Sequence, residues 1–126
     1  MSKKRQPERI GIKGMDYAPE NELGVVYLFA LIAPSLGFRG LERIQAGFPD
    51  AVARRRVSGG EESVQIEFEY RSSSYRAHKH PLRPKVTIVC WIHDWPTCPK
   101  NIDVIELRRE VGLGFDVWIN AVWSDY

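Results

Sequence analysis

Glu67 and Glu69 stand two residues apart in a run, Val64–Tyr70, that alternates apolar and polar side chains. In an extended strand that spacing points both carboxylates to the same side. Val64, Ile66, Phe68 and Tyr70 take one face, and Gln65, Glu67 and Glu69 take the other. Upstream, Ala51–Val57 reads as a second strand, and Ser58–Gly59–Gly60 as the turn of a hairpin joining the two. With Gly59–Gly60 at the tip, Asp50 faces Glu69 and lies diagonal to Glu67. Like charges opposed across a strand pair destabilise it. Three carboxylates gathered on one patch therefore suggest a hard cation held by oxygen ligands, Mg²⁺ or Mn²⁺.

The surroundings of these acids are basic. Residues 71–92 contain no Asp or Glu and carry Arg71, Arg76, Lys79, Arg83 and Lys85, with His78 and His80. Arg54, Arg55 and Arg56 lie on the strand expected to pair with the acidic one. An acidic cluster beside a basic flank is the pattern expected where metal ions meet a phosphodiester. Arg54 and Arg71 are the candidate phosphate clamps, with Ser72 and Ser73 as neutral donors and Arg76, His78 and Lys79 as further nucleic-acid contacts. Tyr75 or Trp95 could stack on an unpaired base, although aromatics at such places more often belong to the core. His93–Asp94 follows the most apolar strand and reads as structural, and Cys90 reads as a buried core thiol. Cys98, His93 and His80 fit no familiar zinc spacing, and no Walker loop, dinucleotide glycine motif or nucleophile elbow occurs.

The elements that must position these residues can be read from periodicity. Asn21 offers an N-cap after Pro19–Glu20. Val25, Leu28, Phe29, Ile32 and Leu36 recur at three- and four-residue steps, which predicts a helix over 22–36 stopped by Gly37. Leu41–Gln45 is a short strand, Ser72–His80 a short helix before Pro81, and Ile102–Leu107 a further strand. The continuous apolar run Val86–Ile92 suits a strand buried on both faces. Phe115–Trp123 is apolar at mixed spacing and stays undecided between helix and strand. The order is helix, three strands, helix, strand: an α/β (α+β) domain with one sheet and helices packed on it.

Composition bounds the rest. The chain has 126 residues, 44% hydrophobic and 27% charged, which fits one soluble globular domain. The expected division is a flexible basic tail over 1–18 and a single domain over 19–126. Leu23–Leu36 is too short and too interrupted to span a bilayer, so no membrane partner is expected. MSKKRQPERI lacks the apolar stretch of a secretory signal, and the expected compartment is cytoplasmic. A formal charge of +2 excludes wholesale electrostatic coating of nucleic acid and confines any basic surface to a patch.

Pro49–Asp50, then Glu67–Phe68–Glu69, with Glu22 on the upstream helix, together resemble the PD-(D/E)XK, or restriction-endonuclease-like, nuclease superfamily. The resemblance spans about residues 20–107, and the stretches FPDAVAR, IEFEYRSSSYRAH and IVCWIHDWP together are similar to a small branch of it. It implies an αβββαβ core, a mixed sheet flanked by helices. It also implies a divalent-metal-dependent endonuclease acting on phosphodiester bonds, in DNA. Asp50 and Glu67 would then hold Mg²⁺ or Mn²⁺ with help from Glu22 and the Phe68 carbonyl. Glu69 would accept a proton or bind a second ion. The chain departs from the family at Glu69, where lysine is usual, so the alternative is a catalytically inactive nucleic-acid-binding or assembly subunit with the same fold. Cutting both strands implies a homodimer, with Trp118, Val122 and Trp123 as its candidate seam.

Overall fold

The computed structural model describes residues 8–77 and 86–112. The chain opens with two short antiparallel strands, β1 (Arg9–Ile12) and β2 (Met15–Tyr17). Helix α1 (Glu22–Ile32) and a 3-10 turn (Ala33–Leu36) follow. The main sheet comprises β3 (Phe38–Ile44), β4 (Ala51–Val57), β5 (Gly60–Arg71), β6 (Val86–Ile92) and β7 (Asp103–Glu106), in that spatial order. A short helix α2 (Ser73–Ala77) lies between β5 and β6, and residues 107–112 are helical. β3, β4 and β5 form an antiparallel meander, whereas β5, β6 and β7 run parallel. The architecture is thus an α+β mixed sheet flanked by helices. No helix among the described residues is long and apolar enough to cross a membrane.

The N-terminal expectation needs correction. Of the basic tail expected over 1–18, the described part is structured. Ile10 and Ile12, two apart on β1, are buried in the main core, and Ala18 N–H donates to the Glu8 carbonyl at 2.7 Å. Strand periodicity of only two apolar positions, hidden among charges, is what the composition masked. The Tyr27 hydroxyl of α1 donates to the Gly14 carbonyl at 2.8 Å, tying this hairpin to the helix.

α1 starts where its cap dictates. Asn21 is extended, and its side chain accepts the Gly24 N–H at 2.9 Å. A Cβ at Gly24 would come within 3.0 Å of Pro19 Cβ, so the helix can sit this close to its own lead-in only with glycine there. Val25, Leu28, Phe29 and Ile32 form the buried stripe. The Phe29 ring meets Phe38 at 5.1 Å and Phe68 at 5.5 Å between centroids, both edge-on, which pins α1 to β3 and β5. Burying such a ring stabilises the fold by roughly 1.5–3 kcal/mol. The helix ends four residues earlier than its apolar spacing suggests, because Pro34 opens the 3-10 turn.

The second face of the sheet has its own apolar cluster: Tyr75, Val86, Ile88, Cys90, Trp95 and Ile102. β6 is buried on both faces, as its continuous apolar run predicts. Tyr75 and Trp95 take the core alternative and not the stacking one: they are buried against each other with ring centroids 6.3 Å apart.

Candidate functional site

Asp50 is delivered by a loop that closes on itself. Gln45 N–H donates to the Asp50 carbonyl at 2.8 Å, and the Gln45 side-chain amide donates to the Pro49 carbonyl at 3.0 Å. β4 then begins at Ala51, paired with Ile66, and Val52 pairs with Gln65. Continued by one residue, this register sets Asp50 opposite Glu67, not opposite Glu69. The shift has a simple origin. Val57 pairs with Gly60, so the turn is Ser58–Gly59, one residue earlier than expected. Gly59 takes the left-handed conformation (φ 85°) that a two-residue turn needs. Moving a hairpin tip by one residue moves every partner by two.

The pairing is reinforced by side chains. Glu67 Oε2 accepts the Asp50 backbone N–H at 2.7 Å, and Asp50 Oδ2 accepts the Phe68 N–H at 2.9 Å. Each carboxylate therefore takes a backbone donor from the opposite segment, just beyond the last pair of the ladder. These are hydrogen bonds to charged acceptors, the stronger kind.

Glu67 is 2% exposed and Glu69 is 3% exposed. The alternation of Val64–Tyr70 predicts a strand with one wet face. That face is closed because β6 pairs alongside from Gln65 onward and the second cluster packs over it. Burial pushes the Glu67 carboxyl up to about 7. The Asp50 N–H opposes that rise, and the carboxylates of Asp50, Glu69 and Glu22 add to it. Three other acids thus act on this one group, including the first residue of α1. Among the described residues, no three His, Cys, Asp or Glu side chains form a ready-made metal-binding arrangement. The donor chemistry still fits a hard divalent cation: buried carboxylate oxygens whose neighbouring acids add to the rise that burial causes.

The basic residues divide. Arg71 continues the face of Glu67 and Glu69, and its guanidinium lies 3.5 Å from Asp94. Arg76 is exposed on α2. Arg54 is drawn into ion pairs with Glu42 (3.5 Å) and Glu61 (3.7 Å), four residues and roughly 13 Å along β4 from Asp50. Ser72, expected as a phosphate donor, is fully buried and its hydroxyl is engaged with His93 and Asp94. His78 and Lys79 lie outside the described residues, as do Trp118, Val122 and Trp123. Cys90 is a core thiol as expected. Burial pushes it up to about 12, with the Glu106 and Asp94 carboxylates adding to the effect, so it is not a nucleophile.

Two features escaped the sequence reading. One is Gln45, whose only signal is an amide five residues before the acid it helps to place. The other is the joining of Ser72 to His93–Asp94, a pair whose place at a strand end the sequence marks but whose partner it does not. Its signal is positional: these residues follow the carboxyl ends of neighbouring parallel strands, where sites collect in open sheets. No protein-family model, no curated protein and no solved structure matches this chain.

Proposed function

We propose that this protein is a divalent-metal-dependent endonuclease that hydrolyses phosphodiester bonds in DNA. The observation that carries the reading is the locked Asp50–Glu67 pair, with Glu67 raised to about 7 by burial and by neighbouring acids. The element order supports it: α1, the β3–β4–β5 meander, α2 and parallel β6 follow the αβββαβ order that the resemblance implies. Asp50 and Glu67 would hold Mg²⁺ or Mn²⁺, with Glu22 contributing from the start of α1. Such an ion, when bound, supplies a Lewis acid and lowers the pKa of a coordinated water. Glu69, two residues along the same face, is the proton acceptor. Arg71, next on that face, meets phosphate oxygens. A homodimer would bring two such centres to the two strands of a duplex.

A second reading is a nucleic-acid-binding or assembly subunit that keeps the fold and has lost cleavage. Glu69 at the position where the resembled family has lysine favours it. Plasmid cleavage with Mg²⁺ or Mn²⁺ separates the two. The expected result is metal-dependent nicking by wild type that falls at least about a hundredfold in Asp50→Asn. Asparagine keeps an acceptor for the Phe68 N–H, so the fold should persist. Salt-sensitive DNA binding without cleavage by wild type would select the second reading. Light scattering with and without DNA reads the dimer.

A further inference from the structure

Ser72, His93, Asp94 and Glu106 come together at the carboxyl ends of β5, β6 and β7. The Ser72 Oγ lies 2.7 Å from His93 Nδ1 and accepts the Asp94 backbone N–H at 3.0 Å. It also reaches Asp94 Oδ1 at 3.5 Å, a long contact. Asp94 Oδ1 accepts the Ser73 N–H at 3.0 Å, and Arg71 stands 3.5 Å from Oδ2. Glu106 Oε2 accepts the His93 backbone N–H at 2.7 Å and fixes the peptide that carries the ring. Ser72 is fully buried, whereas His93 is exposed.

The hydroxyl decides the tautomer of the ring. Ser72 has one proton and two lone pairs, and full burial leaves it no solvent to bind. If it donates to a bare Nδ1, one buried lone pair has no donor and the carboxylate loses a proton partner. If Nδ1 carries the hydrogen, both lone pairs receive N–H donors and the hydroxyl proton turns to Asp94. Burial opposes ionisation of Asp94, but the hydrogen bonds from Ser73 and the Arg71 guanidinium outweigh it and hold that carboxyl below the ordinary range. A hydrogen bond onto an anion is the stronger choice. With Nδ1 protonated, the outward nitrogen, Nε2, keeps its lone pair.

We propose that His93 is a proton-accepting site: Asp94, acting through Ser72, fixes the Nδ1–H form of the neutral ring. The bare Nε2 takes the proton of a water or a substrate hydroxyl bound at these strand ends. In that step the O–H bond breaks, its electron pair stays on oxygen, and the proton ends on Nε2. The imidazolium charge is met by the exposed Asp94 carboxylate through Ser72, the arrangement in which a third group orients a catalytic base. Ser72 and Asp94 are positioning residues. Among the described residues, the charges at this cluster are the carboxylates of Asp94 and Glu106 and the Arg71 guanidinium, so the site suits a neutral or cationic hydroxyl compound better than a phosphate. It shares Arg71 with the phosphate path of the proposed nuclease but none of the Asp50–Glu67 carboxylates, and it does not depend on the nuclease reading.

The test begins with the tautomer. In ¹⁵N-histidine-labelled full-length protein at about pH 9, where imidazole is neutral, long-range ¹H–¹⁵N correlation distinguishes the two ring nitrogens. The chain has three histidines, and His93→Gln assigns the signal. The expected result is a protonated Nδ1 and a bare Nε2, inverted towards Nε2–H in Asp94→Asn and in Ser72→Ala. A wild-type ring in the Nε2–H form overturns the proposal, and this measurement stands even if Ser72→Ala fails to fold. Function is read with 4-nitrophenyl acetate, a neutral ester, in EDTA. Hydrolysis should fall in His93→Gln to the background set by the remaining histidines and amines, and the part lost should show a solvent deuterium isotope effect; equal rates in wild type and His93→Gln, or a lost part without that isotope effect, overturn the general-base role.

Discussion

Glu61 and Glu67 occupy the same strand and point to the same face of it, yet they live in different surroundings. Glu61 lies in the outer half of β5, which among the described residues pairs with β4 alone, and it meets Arg39 (2.7 Å) and Arg54 (3.7 Å) near solvent. Glu67 lies in the inner half, flanked by Asp50 just ahead of β4 on one side and by β6 on the other, on the face of the second apolar cluster. Six residues of strand separate a surface ion pair from a buried acid with a carboxyl raised to about 7. The residue type is the same in both cases. What differs is the parallel strand that returns after α2 and begins its pairing at Gln65. A crossover connection thus creates the chemistry of the inner half, and the hairpin alone would leave both acids in water.

The largest consequence is in stability against pH. Glu67 holds its proton more tightly in the folded chain, at about 7, than at its ordinary 4.5. A raised folded value contributes stability that is fully present below about pH 4.5 and lost as pH rises through about 7. The lost amount is roughly 3 kcal/mol. Glu67→Gln keeps an oxygen for the Asp50 N–H and has no proton to lose. Urea denaturation between pH 4.5 and 8 should therefore show wild type losing about 3 kcal/mol more than Glu67→Gln. Parallel pH profiles for the two would mean that Glu67 titrates normally. Glu61→Gln should leave the wild-type profile in place.

A smaller effect follows for the ion. A divalent cation needs the Glu67 carboxylate ionised, so metal binding must displace its proton. The affinity for Mg²⁺ or Mn²⁺ should then rise with pH, by up to about tenfold per pH unit below 7, and level off above it. Calorimetry in buffers of different ionisation enthalpy would count the released proton. Affinity that is flat between pH 5.5 and 7 would place the cation away from Glu67.

Local patterns were legible in the sequence, and relations between distant segments were not. β4 runs over Ala51–Val57 and β6 over Val86–Ile92, the residues expected, because each pattern is complete within its own strand. α1 begins after Asn21, as its capping chemistry dictates. The alternation of Val64–Tyr70 correctly divides the faces of β5 but says nothing of what covers the polar one. Burial of Glu67 and Glu69 depends on β6, about twenty residues away. The hairpin register missed by one residue at the tip, since Ser58–Gly59 and Gly59–Gly60 are both acceptable turns. Adjacency of Asp50 and Glu67 survives the slip because both lie on one face. The role of Ser72 was invisible for the same reason as the burial of Glu67: its partners, His93 and Asp94, stand at the end of another strand.

The smallest expected effect belongs to the outer half of β5. Glu61 binds Arg39 and Arg54, and Arg54 also reaches Glu42, while Ser63 donates to Glu42 at 3.3 Å. This is a network of five polar side chains across β3, β4 and β5. Its extent is nevertheless a poor guide to its energy. The Arg39 side chain is 65% exposed, so water competes for every charge and holding long side chains in place costs entropy. Glu61→Gln should therefore destabilise the protein by less than about 1 kcal/mol at low salt. The remaining difference should fade in about 1 M salt, where the screening length falls to roughly 3 Å. The pH-dependent difference between wild type and Glu67→Gln should persist under the same salt, because solvent ions do not enter the buried half of the strand. A Glu61→Gln effect that exceeds that of Glu67→Gln, or that persists in high salt, would reverse the ranking of the two halves.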